Sequence, residues 1–309
     1  MTQLLISEVA PRDGLQSVKS IMPTADKCRW IAALAEAGLK EIEVASFVPA
    51  RLLPQMADAA EVVRYARGIP DLHVACLAPN LKGAQAAFEA GAHKVTMPVS
   101  VSEAHSLANV RKTHVQIIEE VRQVIALRDK QYPGIAIEAG LSTAFGCTLV
   151  GAISDDEVMR MAETVAQCGV DEVGLSDTSG YANPTQIRRL FRRLQRELGD
   201  KAGGAHLHNT MGLGLANVVA ALEVDVKTFD SSQAGIGGCP YAPGASGNIV
   251  TEDLVFMLEA MGYDTGIDLD KLLAARDILA GALPDETLYG HTAAAGLPKN
   301  FSPRGKAKT

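Results

Sequence analysis

Leu4-Leu5-Ile6-Ser7-Glu8-Val9-Ala10-Pro11-Arg12-Asp13-Gly14-Leu15-Gln16 is the stretch on which the fold turns. Its apolar start opens a strand that runs to Glu8-Val9. A helix follows from Ala25 to Gly38, with Thr24 placed to cap its start and Gly38 its end. An open doubly wound sheet would carry a Gly-rich GxGxxG turn after this first strand, to bring backbone close to a pyrophosphate. The turn here reads Pro11-Arg12-Asp13-Gly14-Leu15-Gln16, which lacks that spacing.

The same strand-then-helix order repeats down the chain. Glu41–Val44 is a second strand and Gln55–Arg67 its helix; Leu72–Leu77 and Leu81–Ala90 form the third pair. Lys94–Met97 precedes a long helix from Val110 to Arg128. Ile135–Glu138 precedes one that Ser154 caps and Gly169 closes, and Asp171–Leu175 precedes Pro184–Leu198. Gly204–His208 leads to Leu213–Leu222, and Val226–Asp230 to Thr251–Met261. Eight such pairs in about 260 residues predict a closed (β/α)8 barrel, a TIM barrel, of α/β class. A helix from Asp270 to Ala282 is expected as a short C-terminal extension packed at one end. Residues 1–283 then form the barrel domain. Residues 284–309, with Pro, Gly and the basic finish Arg304-Gly305-Lys306-Ala307-Lys308, read as a loosely held tail.

Composition agrees with one ordinary globular domain. The 309 residues are 47% hydrophobic and 21% charged, enough for a single large core. The net charge of −7, with both signs interspersed, offers no surface for nucleic acid. There is no apolar run of spanning length and no signal-like start, so neither a membrane nor secretion is expected. Five scattered cysteines without CxxC spacing suit reduced thiols in a cytoplasmic protein better than a disulfide frame.

Active sites of such barrels lie at the C-terminal ends of the strands. Strand one delivers Arg12 and Asp13, strand two Glu43, strand six Asp177, and strand seven His206 and His208. The glycine-rich loop from Gly235 after strand eight brings Cys239 and Asn248. Side chains two apart on a strand share a face, so His206 and His208 can grip one divalent cation. Asp13, two imidazoles and the Asn248 amide oxygen make a mixed N/O set that suits six-coordinate Mg²⁺ or Mn²⁺. Arg12, permanently charged, can hold a developing oxyanion. His73 and His93 lie near strand starts, away from the mouth, and read as structural. The cluster Arg188, Arg189, Arg192, Arg193, Arg196 has the spacing of a helix's solvent face.

Three segments, in order, resemble the 3-hydroxy-3-methylglutaryl-CoA lyase family of the DRE-TIM metallolyase superfamily. They are Glu8–Gln16, Ile42-Glu43-Val44-Ala45-Ser46-Phe47-Val48, and the cysteine loop Gly237–Asn248. The resemblance runs to about Gly266 and implies a metal-dependent carbon–carbon lyase acting on an acyl-CoA, as in leucine degradation and ketone-body metabolism. It also leaves a homodimer open. It implies metal ligation by Asp13, His206, His208 and Asn248, an enolate-steadying role for Arg12, a supporting carboxylate at Glu43, and a reactive thiol at Cys239. Asp177 matches the aspartate of the family's sixth strand. The hydroxyl proton would go to His206, Glu43 or Asp177, and Cys239 would protonate the acetyl-CoA enolate.

The chain departs from the family's pattern where the acyl group is chosen. It reads His208-Asn209-Thr210 where His-Asp-Thr is usual, and His105 stands where an aromatic is usual. The fifth strand, Glu138-Ala139-Gly140-Leu141-Ser142, lacks the family's Gly-Tyr-Val-Ser-Cys pattern. A lyase for citramalyl-CoA or another 3-hydroxyacyl-CoA is therefore an alternative. A condensing synthase, or a silent barrel used for binding, ranks lower.

Overall fold

Along every strand, residues of two kinds alternate, and that alternation builds a wall with two faces. Ile42 and Val44, Val95, Met97 and Val99, Ile137 and Leu141, Val173 and Leu175, Ala205 and Leu207, and Phe229 are all buried. They point outward into the helices. Between them stand Glu43, Thr96, Glu138, Gly140, Gly174, Gly204, His206 and Asp230, which point inward and line a cavity. The computed structural model describes residues 4–237 and 247–302.

The eight strands are β1 (Leu5–Glu8), β2 (Glu41–Ser46), β3 (His73–Leu77), β4 (Lys94–Ser100), β5 (Ala136–Ser142), β6 (Glu172–Asp177), β7 (Ala202–Leu207) and β8 (Thr228–Ser231). They pair in parallel in sequence order, and β8 closes on β1 with Leu5 opposite Thr228. This is the expected (β/α)8 barrel. The helices are α1 (Thr24–Glu36), α2 (Ala59–Arg67), α3 (Leu81–Ala90), α4 (His114–Gln131), α5 (Asp155–Gln167), α6 (Pro184–Leu198), α7 (Gly214–Leu222) and α8 (Thr251–Ala260). The expected extension is α9 (Leu269–Ala282), which packs on α1.

Caps decide several boundaries. Thr24 is not an N-cap: Pro23 holds that position, and the Thr24 hydroxyl instead donates to Asp58 Oδ2 at 2.7 Å. The helix expected from Val110 starts at His114, because Thr113 and Gln116 form a reciprocal capping box. Ser154 and Glu157 form another at α5. Gly38 adopts φ +107, as the end of α1 requires.

A buried carboxylate ties the two loops that matter most. Glu8 lies on the outer face of β1 with no exposure. It accepts hydrogen bonds from the backbone N–H of Ala10 and of Gln233, both at 2.9 Å, and pairs with the Thr251 hydroxyl at 2.7 Å. The Gln233 side chain meets Trp30 Nε1 at 2.6 Å, which locks α1 to the end of β8. Past α9 the chain turns back on the same place. Tyr289 donates its N–H to Ala234 O at 2.8 Å, and Asp253 accepts from the N–H groups of His291 and Thr292.

No helix among the described residues is long and apolar enough to cross a membrane. Cys28, Cys76, Cys147 and Cys168 carry free thiols.

Candidate metal centre and active site

The turn after β1 is wider than an α-helical one. Ala10–Gly14 is π-helical, and the Leu15 N–H reaches back to Ala10 O. Turns of this kind recur at functional sites, since the extra residue re-aims side chains. Here both Arg12 and Asp13 face the cavity. Gly14 is needed because a Cβ there would run into the Ile236 side chain.

Arg12 is held from two sides. Its Nε and Nη2 both reach Glu43 Oε2 at 2.5 Å, and its Nη1 reaches Asp13 Oδ1 at 2.6 Å. A guanidinium fixed by two carboxylates has little rotamer freedom left to lose, so its remaining edge is a pre-aimed donor. Asp13 also accepts from Gln16 Nε2 at 2.9 Å and Asn248 Nδ2 at 2.7 Å. Burial would lift the Asp13 carboxyl, but Arg12 and the two imidazoles outweigh it and hold the pKa at about 2. Asp13 is a carboxylate at any working pH.

The two imidazoles arrive by different routes. His206 lies in β7, whereas His208 falls just past the end of the strand and bridges to Asn248. Their Nε2 atoms nonetheless meet at 3.2 Å, and His206 Nε2 lies 3.9 Å from Asp13 Oδ2. Nitrogens this close cannot both carry protons. Burial, then the neighbouring His206, pushes His208 down to about 4, so it is neutral. For His206, burial is outweighed by Asp230, whose Oδ2 accepts from Nδ1–H at 3.0 Å. With Nδ1 so engaged and the ring's pKa raised, Nε2 is the atom of His206 that faces His208.

Asp13, His206 and His208 place donor atoms within 4.8 Å of one another. Asn248 Oδ1 is buried and, among the described residues, has no hydrogen-bond partner, a costly state unless something polar meets it. One carboxylate, two imidazoles and an amide oxygen without a partner among the described residues fit a divalent cation. Neighbouring donors about a six-coordinate ion at ~2.1 Å are roughly 3 Å apart, which is the spacing of the two nitrogens.

Asp177 is not brought into this set. It is fully buried, and its oxygens accept from the N–H groups of Tyr181 at 2.9 Å and Ala182 at 3.1 Å. Both oxygens accept from its own turn; burial pushes the carboxyl up to about 6, while those hydrogen bonds and nearby His206 pull it down. Cys239 lies outside the described residues. The ends of the segment that carries it do not: Gly237 packs on the backbone of Asp13 and Gly14, and a Cβ on Gly247 would overlap the carbonyls of Gly235 and Gly237. Asp230 is the functional residue that the sequence reading passed over. Its signal was its place two residues after Thr228 on the inward face of β8.

The other charged candidates resolve locally. His73 and His93 stack at 5.1 Å at the far end of the barrel, with His73 bound to Glu41. On α6, Arg188 pairs with Glu223, Arg189 with Asp155 and Arg193 with Asp156.

A sequence model of the HMGL-like protein family matches residues 3–279. The mouse mitochondrial hydroxymethylglutaryl-CoA lyase is 41% identical over 287 residues, 92% of this chain and 87% of that protein. A Bacillus subtilis hydroxymethylglutaryl-CoA lyase is 38% identical, covering 88% of this chain and 91% of its own. Among solved structures, an HMG-CoA lyase from Acinetobacter baumannii, in complex with coenzyme A and 3-methylmalate, superposes with a TM-score of 0.91. It is 38% identical and covers 98% of this chain and 99% of that one.

Proposed function

The chain belongs to the HMGL-like family, and on that premise we propose that it is a carbon–carbon lyase cleaving 3-hydroxy-3-methylglutaryl-CoA to acetyl-CoA and acetoacetate. The observation that carries the reading is the meeting of Arg12 with Asp13, His206, His208 and Asn248 at the mouth of one cavity. The coenzyme A seen in the Acinetobacter relative supports an acyl-CoA substrate.

In the reaction the C2–C3 bond breaks and its electron pair passes to C2 as a thioester enolate. The C3 hydroxyl loses its proton and becomes the ketone of acetoacetate. Asp13, His206, His208 and Asn248 would hold Mg²⁺ or Mn²⁺, which would supply Lewis acidity that makes the C3 hydroxyl easier to deprotonate. Arg12 donates to the enolate oxygen as charge builds there, and Glu43 keeps the guanidinium aimed. Among the described residues Glu43 Oε1 is buried with no hydrogen-bond partner, which suits it to accept the hydroxyl proton, with His206 as the other acceptor. Cys239 is assigned the final step, delivering a proton to C2. The barrel through residue 283 is the catalytic domain in this reading, with Glu286, Thr287 and Tyr289 of the segment after it also lining the cavity, and the location is cytoplasmic.

The test is release of acetyl-CoA from 3-hydroxy-3-methylglutaryl-CoA by the purified chain. Activity should vanish with EDTA and return with Mg²⁺ or Mn²⁺. A folded, metal-loaded protein that releases none overturns the assignment.

A further inference from the structure

Below the mouth, the interior of a (β/α)8 barrel is ordinarily filled by layers of bulky branched side chains. Here three inward positions are glycines, Gly140, Gly174 and Gly204, and the cavity continues past His206 to Lys94 and Glu138. Mouth and interior form one space of about 1050 Å³. Glu138, Thr228 and Thr96 stand beside these glycines, with Glu138 Oε1 2.7 Å from where a Gly174 Cβ would be and Thr228 Cβ 2.8 Å from that of Gly204, so the open space runs between those side chains. Gly174 is level with Gly204, because Leu175 pairs with Ala205. Gly204 precedes His206 by two residues, about 7 Å along the strand. The charged floor therefore lies one layer beneath the imidazoles.

The floor has a definite chemistry. Lys94 Nζ is engaged by Glu41 Oε1 at 2.6 Å and Glu138 Oε2 at 3.4 Å, and the Thr96 hydroxyl donates to the same Oε2 at 3.3 Å. The ammonium is thus already answered. Among the described residues no donor reaches Glu138 Oε1. An alkyl end arriving here would strip water from Glu138 without replacing its hydrogen bond. A carboxylate would be set against Glu138 and Glu172, which both line the chamber. A hydroxyl group, neutral and able both to donate and to accept, suits a Glu138 carboxyl that burial pushes up to about 8.

We propose that this chamber is an acyl subsite: it takes a C3 substituent longer than methyl, ending in a hydroxyl that Glu138 accepts. The proposal rests on the lyase reading above and names its substrate class more closely. From C3, a three-carbon arm and its oxygen extend about 5 Å, and a hydrogen bond of ~2.8 Å completes the reach to the floor.

The experiment offers the metal-loaded chain three thioesters: 3-hydroxy-3-methylglutaryl-CoA, and two homologues whose C3 methyl is replaced by 3-hydroxypropyl or by butyl. The two arms have the same length and differ only at the end. The hydroxypropyl homologue should be cleaved with kcat/KM at least ~10-fold above the butyl one, because a site built to accept a hydroxyl rejects the analogue lacking it. In Glu138→Leu that preference should collapse. Should the variant fail to fold, the ratio measured on the natural chain still decides. Cleavage of the methyl substrate with both homologues inert overturns the subsite and leaves the lyase reading standing. Equal cleavage of the two homologues overturns the role of Glu138. If no thioester is cleaved, the lyase reading falls, and the subsite with it.

Discussion

His206 and Asp230 face each other across β7 and β8, and the Nδ1–H of the imidazole donates to Asp230 Oδ2 at 3.0 Å. The bond fixes the tautomer, so the Nε2 lone pair is turned toward Asp13 and His208. A carboxylate behind a ligating histidine also raises its basicity, and loss of such a partner costs roughly 10–100-fold in metal affinity.

Asp230→Ala should therefore bind Mn²⁺ about 10–100-fold more weakly than the natural chain. His208→Ala, which removes a donor outright, should lose more. Titration with Mn²⁺ read by calorimetry checks both. An Asp230→Ala protein with unchanged affinity would show that the ring needs no partner to hold its orientation.

Arg12 has two jobs that one substitution confounds. Removing it leaves Glu43 and Asp13 as buried carboxylates without their cation, a loss of roughly 3–5 kcal/mol for a broken buried pair. Arg12→Gln should accordingly melt earlier as well as turn over slowly. Arg12→Lys keeps the charge and loses the planar fork, so it isolates the chemistry. Its kcat should fall at least ~10²-fold, the usual loss for one oxyanion donor, with KM little changed. Near-normal kcat in Arg12→Lys would return Arg12 to the role of a turn ion pair.

Glu8 makes stability depend on pH. Burial pushes its carboxyl up to about 8, outweighing the hydrogen bonds from Thr251, Ala10 and Gln233. The folded state thus holds a proton that the unfolded chain gives up near the ordinary glutamate pKa of about 4.3. Stability from this group is complete below that value and is lost as pH rises toward 8. Glu8→Gln keeps the shape, since its amide oxygen can accept from the backbone and its NH₂ can donate to Thr251. The slope of unfolding free energy against pH between 5 and 8 should flatten in this variant. An unchanged slope in urea titrations across that range would place the proton elsewhere.

The barrel was legible because each of its eight repeats pairs an apolar strand with a helix, and α3 to α6 each open on a side-chain cap. What the sequence hid were places where tertiary pairing overrides local signals. Pro98 lacks an N–H and reads as the end of a strand, yet β4 continues through it to Ser100 opposite Ser142. His208 reads as the last residue of a strand, but the ladder stops at Leu207 and a bridge to Asn248 brings the imidazole back. Five of the site's polar residues, Arg12, Asp13, Glu43, His206 and His208, could be named from strand ends alone. Asp230 and Glu138 also close the strands read as Val226–Asp230 and Ile135–Glu138, but nothing next to them in the sequence says which face of the strand each acid takes, and β8 and β5 run on past them to Ser231 and Ser142.

Cys239 carries the last prediction. It follows Gly237, which packs against Asp13, by two residues, and it is the one cysteine the mechanism uses. The others are poor nucleophiles for physical reasons. Burial pushes the thiols of Cys28, Cys76 and Cys168 up, leaving little thiolate, and Cys147 is fully buried with its sulfur 3.4 Å from Ser102 Oγ. Iodoacetamide at neutral pH should therefore modify Cys239 first and stop turnover, and bound acyl-CoA should protect it. Cys239→Ser should fold and bind Mn²⁺ normally, yet turn over slowly, with the loss falling on kcat more than on KM, because a hydroxyl is a far weaker acid than a thiol. Peptide mapping of the alkylated protein and steady-state kinetics of the variant check the two halves separately. Normal turnover by Cys239→Ser would mean that the C2 proton comes from another donor at the mouth.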